Sequence, residues 1–119
     1  MSSALFEPAQ LGPLTLRNRV VKAATFEGAS PEGLVTEELI EFHRRVAAGG
    51  VAMTTVAYLA VAPEGRTHAE CIQVVPAAVL GLRRLTDAVH AEGALAAAQI
   101  GHAGPVANAS SNHVQSISP

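Results

Sequence analysis

The sequence predicts an α/β fold in which right-handed βα units lay parallel strands side by side. Three observations predict it. Residues 51–56 and 94–100 are near-continuous apolar or small-residue runs, the pattern of strands buried on both faces. A stretch of helical spacing precedes each run, and the overall order reads hairpin, strand, helix, strand, helix, strand.

Residues 5–16 alternate apolar side chains around Pro8, Gly12 and Pro13, which places a turn between two short extended pieces. Residues 19–24 follow as a short strand that enters the Gly, Ser and Pro chemistry of residues 27–33. Thr36 can N-cap a helix whose first turn carries Glu37 and Glu38, favourable against the positive end of its dipole. That helix runs to about Ala48, with Leu39, Phe42, Val46 and, as a further candidate, His43 on one face. Glu41, Arg44 and Arg45 lie opposite, and Gly49 or Gly50 supplies the left-handed stop. A loop through residues 63–66 follows the strand at 51–56. From Pro76 onward, Val79, Leu82, Leu85 and Val89 keep helical spacing against Arg83, Arg84 and Asp87, until Gly93 ends the run. Residues 94–100 form the third strand, and residues 101–119, uncharged and rich in Gly, Ser, Asn and Ala, read as loop.

The chain has 119 residues, enough for one small domain. Its 49% hydrophobic and 15% charged content excludes a disordered segment, and with 3% aromatics the core must be Ala, Val and Leu. A net charge of −2 argues against nucleic acid, whose phosphates require clustered Lys and Arg. The single Cys71 excludes an intramolecular disulfide and a Cys-rich zinc site, and His43, His68, His90 and His113 show no paired metal spacing. The N-terminus lacks the basic start and apolar stretch of a signal peptide, so a reducing, cytoplasmic compartment is expected. Residues 46–63 carry no charge, but Gly49-Gly50 and Thr54-Thr55 make them a poor membrane span. No glycine-rich dinucleotide fingerprint or P-loop is present.

Leu5-Phe6-Glu7-Pro8 is followed by Leu14-Thr15-Leu16-Arg17-Asn18-Arg19-Val20-Val21, then Gly49-Gly50-Val51 and Pro63-Glu64-Gly65-Arg66. Ala88-Val89-His90-Ala91-Glu92-Gly93 and Gln99-Ile100-Gly101-His102-Ala103-Gly104 complete the series. In this order and spacing the chain resembles, along essentially its whole length, the flavin-dependent NADH:flavin oxidoreductases of the Old Yellow Enzyme family. The resemblance implies a TIM-type (β/α)8 barrel with FMN lying across the carboxyl ends of the strands. A complete barrel takes about 250 residues and usually holds cofactor phosphate in the loops after strands 7 and 8. Residues 1–119 are therefore expected to form its N-terminal portion: the hairpin, strands 1 to 3, two helices and a C-terminal loop. The strand that carries the family's substrate-orienting His/His or His/Asn pair lies outside the match, as does the Tyr proton donor of many members, so no catalytic residue is assigned.

The chemistry implied is delivery of hydride by reduced FMN to a small-molecule acceptor, an activated alkene or similar, with NADH or NADPH as reductant. In the resemblance, Ala23, Ala24, Thr25 and Phe26 occupy the first flavin-contacting segment. Many members have Pro where this chain has Ala24, and a Thr or Cys that tunes the flavin where it has Phe26. Thr25 either takes over that hydrogen bond or caps local backbone. Ala57 and Tyr58 match the next flavin-lining positions, Tyr58 being equally suited to pack at a strand end. Gln99 offers both a donor and an acceptor to the pyrimidine edge of the flavin, the alternative being a satisfied structural amide. His102 is expected to orient a loop, and Pro105 stands where the family commonly has Arg. Lys22 reads either as an amine with depressed pKa, or as a side chain that pairs with Glu27 or reaches the polar end of the strand. Two further readings remain: a non-catalytic fragment, or a small α/β binding module without flavin activity. Unpaired strand edges and exposed helix faces predict an oligomer, a loose fold or completion by further chain.

Overall fold

A computed structural model describes residues 3–118. The predicted hairpin consists of β1 (Ala9–Leu11) and β2 (Leu14–Leu16), paired antiparallel with Ala9 opposite Leu16. Gly12 turns it at φ 56°, a conformation open to glycine without steric cost. The main sheet contains β3 (Val21–Lys22), β4 (Met53–Ala60), β5 (Ile72–Gln73) and β6 (Leu95–Gly101). β4 is central and every pairing in this sheet is parallel. β3 flanks it through Val21 and Met53, and β6 runs along it from Met53 opposite Leu95 to Ala60 opposite Gly101. β5 meets only the carboxyl end of β4, where Leu59 pairs with both Ile72 and Ile100. α1 (Glu37–Ala48) and α2 (Val79–Ala91) make the two crossovers, and α3 (Ala109–Asn112) is a single turn near the end of the chain.

The apolar core lies between one face of the sheet and the two helices: Leu39, Ile40 and Ala47 of α1, Leu85 and Val89 of α2, and Val56, Leu59 and Ile72 from the sheet. The other sheet face carries a smaller cluster in which Leu16 of the hairpin covers Ala52 and Met53, beside Leu95 and Ala97. The hairpin thus closes the amino-terminal end of this inner face. Arg17 fastens it there, donating to the carbonyls of Ala47, Val51 and Glu92. Two of those carbonyls belong to the carboxyl ends of helices, where a cation is favoured.

Several expectations are corrected. The first barrel strand, expected over residues 19–24, keeps only Val21–Lys22 in the ladder, because Lys22 turns back on the residues that follow. The second runs through residues 53–60 rather than 51–56, with a shift in register between Val56 and Leu59 at the cis Ala57–Tyr58 peptide. β5, in the stretch between the predicted loop at 63–66 and the helix from Pro76, where no element is expected, is too short to leave a periodic signal. The tail, expected as loop, contains a turn at Gly104–Val106 and then α3, whose N-cap Asn108 accepts from the Ser111 N–H. The packed face of α1 is Leu39, Ile40, His43 and Ala47, so the stripe is rotated from the predicted one and Phe42 remains 37% exposed. Val79 is likewise exposed, since the buried stripe of α2 is Leu85 and Val89.

Candidate functional site

In parallel sheets with helical crossovers, ligands gather at the carboxyl ends of the strands. Here that rim is formed by the exit of β3, the last residues of β4 and the last residues of β6. Side chains alternate along a strand, so Gln99 shares the inner face with Leu95 and Ala97, while Ala96 joins the helix-covered core. Gln99 is exposed there, and its amide has no hydrogen-bond partner among the described residues.

Tyr58 stands beside it. A Cβ placed on Gly101, two residues beyond Gln99, would come within 2.9 Å of the Tyr58 hydroxyl. Absence of a side chain at Gly101 therefore gives the phenol its place at the rim. Burial, with a smaller contribution from the nearby Cys71, raises the Tyr58 pKa above the usual phenol value. Ala57 is buried at 6% exposure, so it belongs to the core.

On the other side of β4, residues 23–26 leave the sheet. Ala23, Thr25 and Phe26 are exposed and Ala24 is half-buried. The Phe26 ring, 47% exposed, lies 6.0 Å from the His68 ring and offers no hydrogen bond. The Thr25 hydroxyl accepts from Lys22 Nζ at 2.9 Å and donates to Glu27 Oε1 at 2.5 Å, so it is already engaged. Lys22 pairs with Glu27 at 3.1 Å, in line with the ion-pair expectation.

Behind the rim, the turn at Pro63–Gly65 is tied to α3. Arg66 donates to the Pro63 and Asn112 carbonyls, and Asn112 Nδ2 returns a bond to the Arg66 carbonyl at 2.7 Å. His102 accepts from the Gly104 N–H and packs so closely on Gly65 that a Cβ there would lie 2.5 Å from the ring. His102 thus orients a loop, as expected. The Arg66–Asn112 fastening leaves no periodic or spacing signal in the sequence, because its two residues stand 46 positions apart. Cys71 is buried against Thr67 at 2.9 Å. A cleft of about 630 Å3 lies elsewhere, on the outer flank of α1 beside Phe42 and Val46.

The geometry defines an open α/β sheet whose carboxyl rim presents the Gln99 amide, without a partner among the described residues, the Tyr58 phenol and the exposed segment at residues 23–26. Residues 4–119 match the NADH:flavin oxidoreductase / NADH oxidase family, and the chain belongs to it. It is 66% identical over 116 residues to a 4,4'-dithiodibutanoate disulfide reductase of Rhodococcus erythropolis, covering 98% of this chain and 29% of that protein. Among solved structures, a 2-naphthoyl-CoA reductase in complex with 2-naphthoyl-CoA superposes with a TM-score of 0.88 at 28% identity, over 93% of this chain and 17% of that one. Morphinone reductase in complex with tetrahydroNAD superposes at 0.80 with 25% identity, covering 89% of this chain and 29% of that one. The chain therefore spans less than a third of the length of each of these relatives, and its fold is the N-terminal part of their barrels. FMN is the cofactor the family implies. The rim residues fit its ring system: the Gln99 amide is unpaired, and the N–H groups of Ala23, Ala24, Thr25 and Phe26 have no acceptor among the described residues.

Proposed function

We propose that this chain supplies the first three βα units of an FMN-dependent NAD(P)H oxidoreductase. The observation that carries the reading is that, among the described residues, the Gln99 amide on the inner face of the rim and the backbone N–H groups of residues 23–26, on the far side of β4, have no hydrogen-bond partners. Gln99 meets the pyrimidine edge of the flavin with one donor and one acceptor. Ala23, Ala24, Thr25 and Phe26 line one side of the ring with backbone groups, and the Ala57 backbone and Tyr58 line the strand between. FMN, when bound, carries hydride from NADH or NADPH to the acceptor. The protein's share is orientation and exclusion of water, with His102 and the Arg66–Asn112 fastening holding the loops that frame the rim.

For the acceptor, the 66% identity to a disulfide reductase favours an organic disulfide. An activated alkene is the second reading, favoured by the likeness to a naphthoyl-CoA reductase. The test is anaerobic: FMN-loaded protein is mixed with NADH or NADPH, then with 4,4'-dithiodibutanoate or an α,β-unsaturated ketone. Bleaching of the flavin band by the nicotinamide and its recovery with one acceptor support the reading and choose the acceptor. Protein that holds FMN but does not bleach with either nicotinamide contradicts it and leaves the non-catalytic alternative.

A further inference from the structure

The exit of β3 carries a network that orientation by Gln99 does not use. Lys22 Nζ donates to the Ala23 carbonyl at 2.8 Å and to Thr25 Oγ1 at 2.9 Å, and meets Glu27 Oε1 at 3.1 Å. Two of the ammonium's N–H groups thus find oxygens within the next three residues of its own chain, and Glu27 supplies the opposite charge at ion-pair distance. Thr25 closes the ring by donating to Glu27. The Lys22 and Glu27 side chains are only 16% and 19% exposed, and the Phe42 ring of α1 lies 5.4 Å from the ammonium. Solvent therefore screens this pair far less than a surface ion pair.

The network acts on backbone. It wraps the four residues whose N–H groups have no acceptor among the described residues. The Ala23–Ala24 peptide is not among the cis bonds, so its N–H points opposite to its carbonyl, away from the ammonium. A cation on the carbonyl oxygen polarises the same amide and makes the Ala24 N–H a stronger donor.

We propose that Lys22, supported by Thr25 and Glu27, is a positioning residue that fixes the exit of β3 and presents the Ala24 N–H as a strengthened donor to the ring edge of bound flavin. The proposal rests on the flavin reading above and deepens it. Phe26 cannot supply a side-chain hydrogen bond to tune the ring, and the role passes to a backbone donor polarised by Lys22. A ring edge is more electron-rich when reduced, so a stronger donor favours the reduced form.

Two readouts on the 119-residue chain test this. Amide order parameters of Ala23 to Phe26 should be near about 0.85 in the native chain and fall below about 0.6 in Lys22→Met. FMN titrated in its oxidised and its dithionite-reduced forms should show the ratio of affinities, reduced over oxidised, falling about tenfold in Lys22→Met, a change of about 1.4 kcal/mol. Thr25→Ser should retain both properties and Thr25→Val should lose them, which keeps the test available if Lys22→Met does not fold. Gln99→Ala should weaken both forms of FMN while leaving the order parameters unchanged. Unchanged order parameters and an unchanged ratio in Lys22→Met and Thr25→Val overturn the proposal. A native chain that binds neither form of FMN overturns the flavin reading and the ligand assigned to Lys22, whereas rigid residues 23–26 in every variant overturn the clamp alone.

Discussion

His43 is wholly buried on α1, with Nδ1 2.7 Å from Thr54 Oγ1 and Nε2 without a hydrogen-bond partner among the described residues. Burial lowers its pKa from the ordinary 6.5 to about 4; the Lys22 charge lowers it further, and Glu27 opposes. The neutral ring is therefore the folded form. As pH falls below the unfolded value, the unfolded chain takes up a proton that the folded chain refuses. Stability from this site is complete above about pH 6.5 and is lost progressively down to about pH 4, a total of about 3 kcal/mol at about 1.4 kcal/mol per unit. Urea midpoints measured across that interval should decline in the native chain and should decline much less in His43→Leu. The carboxylate of Glu41, held near 2 by Arg44, adds its own loss only from about its ordinary 4.5 downwards, so midpoints measured above about pH 5 report His43. At this scale the sequence was only partly readable. Helical spacing placed His43 among the packing candidates and proximity suggested the Lys22–Glu27 pair, yet spacing alone put Phe42 inward and missed Ile40. The direction of a stripe depends on which neighbour covers it, and a flank of α1 is left open here.

Among the elements, β4 and β6 bear the site, since their last residues bring Tyr58 and Gln99 to one rim. The long apolar runs announced both strands, because strands buried from two sides have little freedom of composition. Their ends were less legible: β4 continues to Ala60 past a change of register, and a two-residue ladder such as β5 is too short to show periodicity. Gly101 is the point at which these elements depend on one another. Gly101→Ala should push the Tyr58 hydroxyl aside at modest cost, about 1 kcal/mol, because the obstructing atom is the end of a side chain. Tyr58 is the only Tyr and there is no Trp, so intrinsic fluorescence reports the displacement directly. FMN affinity should fall with it, and an unchanged emission spectrum would remove Tyr58 from the rim.

For the molecule as a whole, the sheet stays open: among the described residues, β3 and β6 each pair with β4 alone. The radius of gyration is 15.8 Å, above the roughly 13.5 Å of a compact domain this long. Ile100, 60% exposed on the edge strand, and the open flank of α1 are faces that neighbouring βα units of a barrel would cover. We therefore expect concentration-dependent association of the isolated chain, visible as a sedimentation coefficient that rises with concentration; a constant monomer value would show that the exposed faces tolerate water. The barrel origin of this sheet was legible from ordered motifs, whereas the contacts that fasten it, Arg17 below and Arg66 with Asn112 above, come from residues distant in sequence. The central claim is that the rim holds flavin. Its most direct test is a visible spectrum of the purified protein after incubation with FMN and desalting: a retained flavin band is the predicted result, and a colourless protein would contradict it.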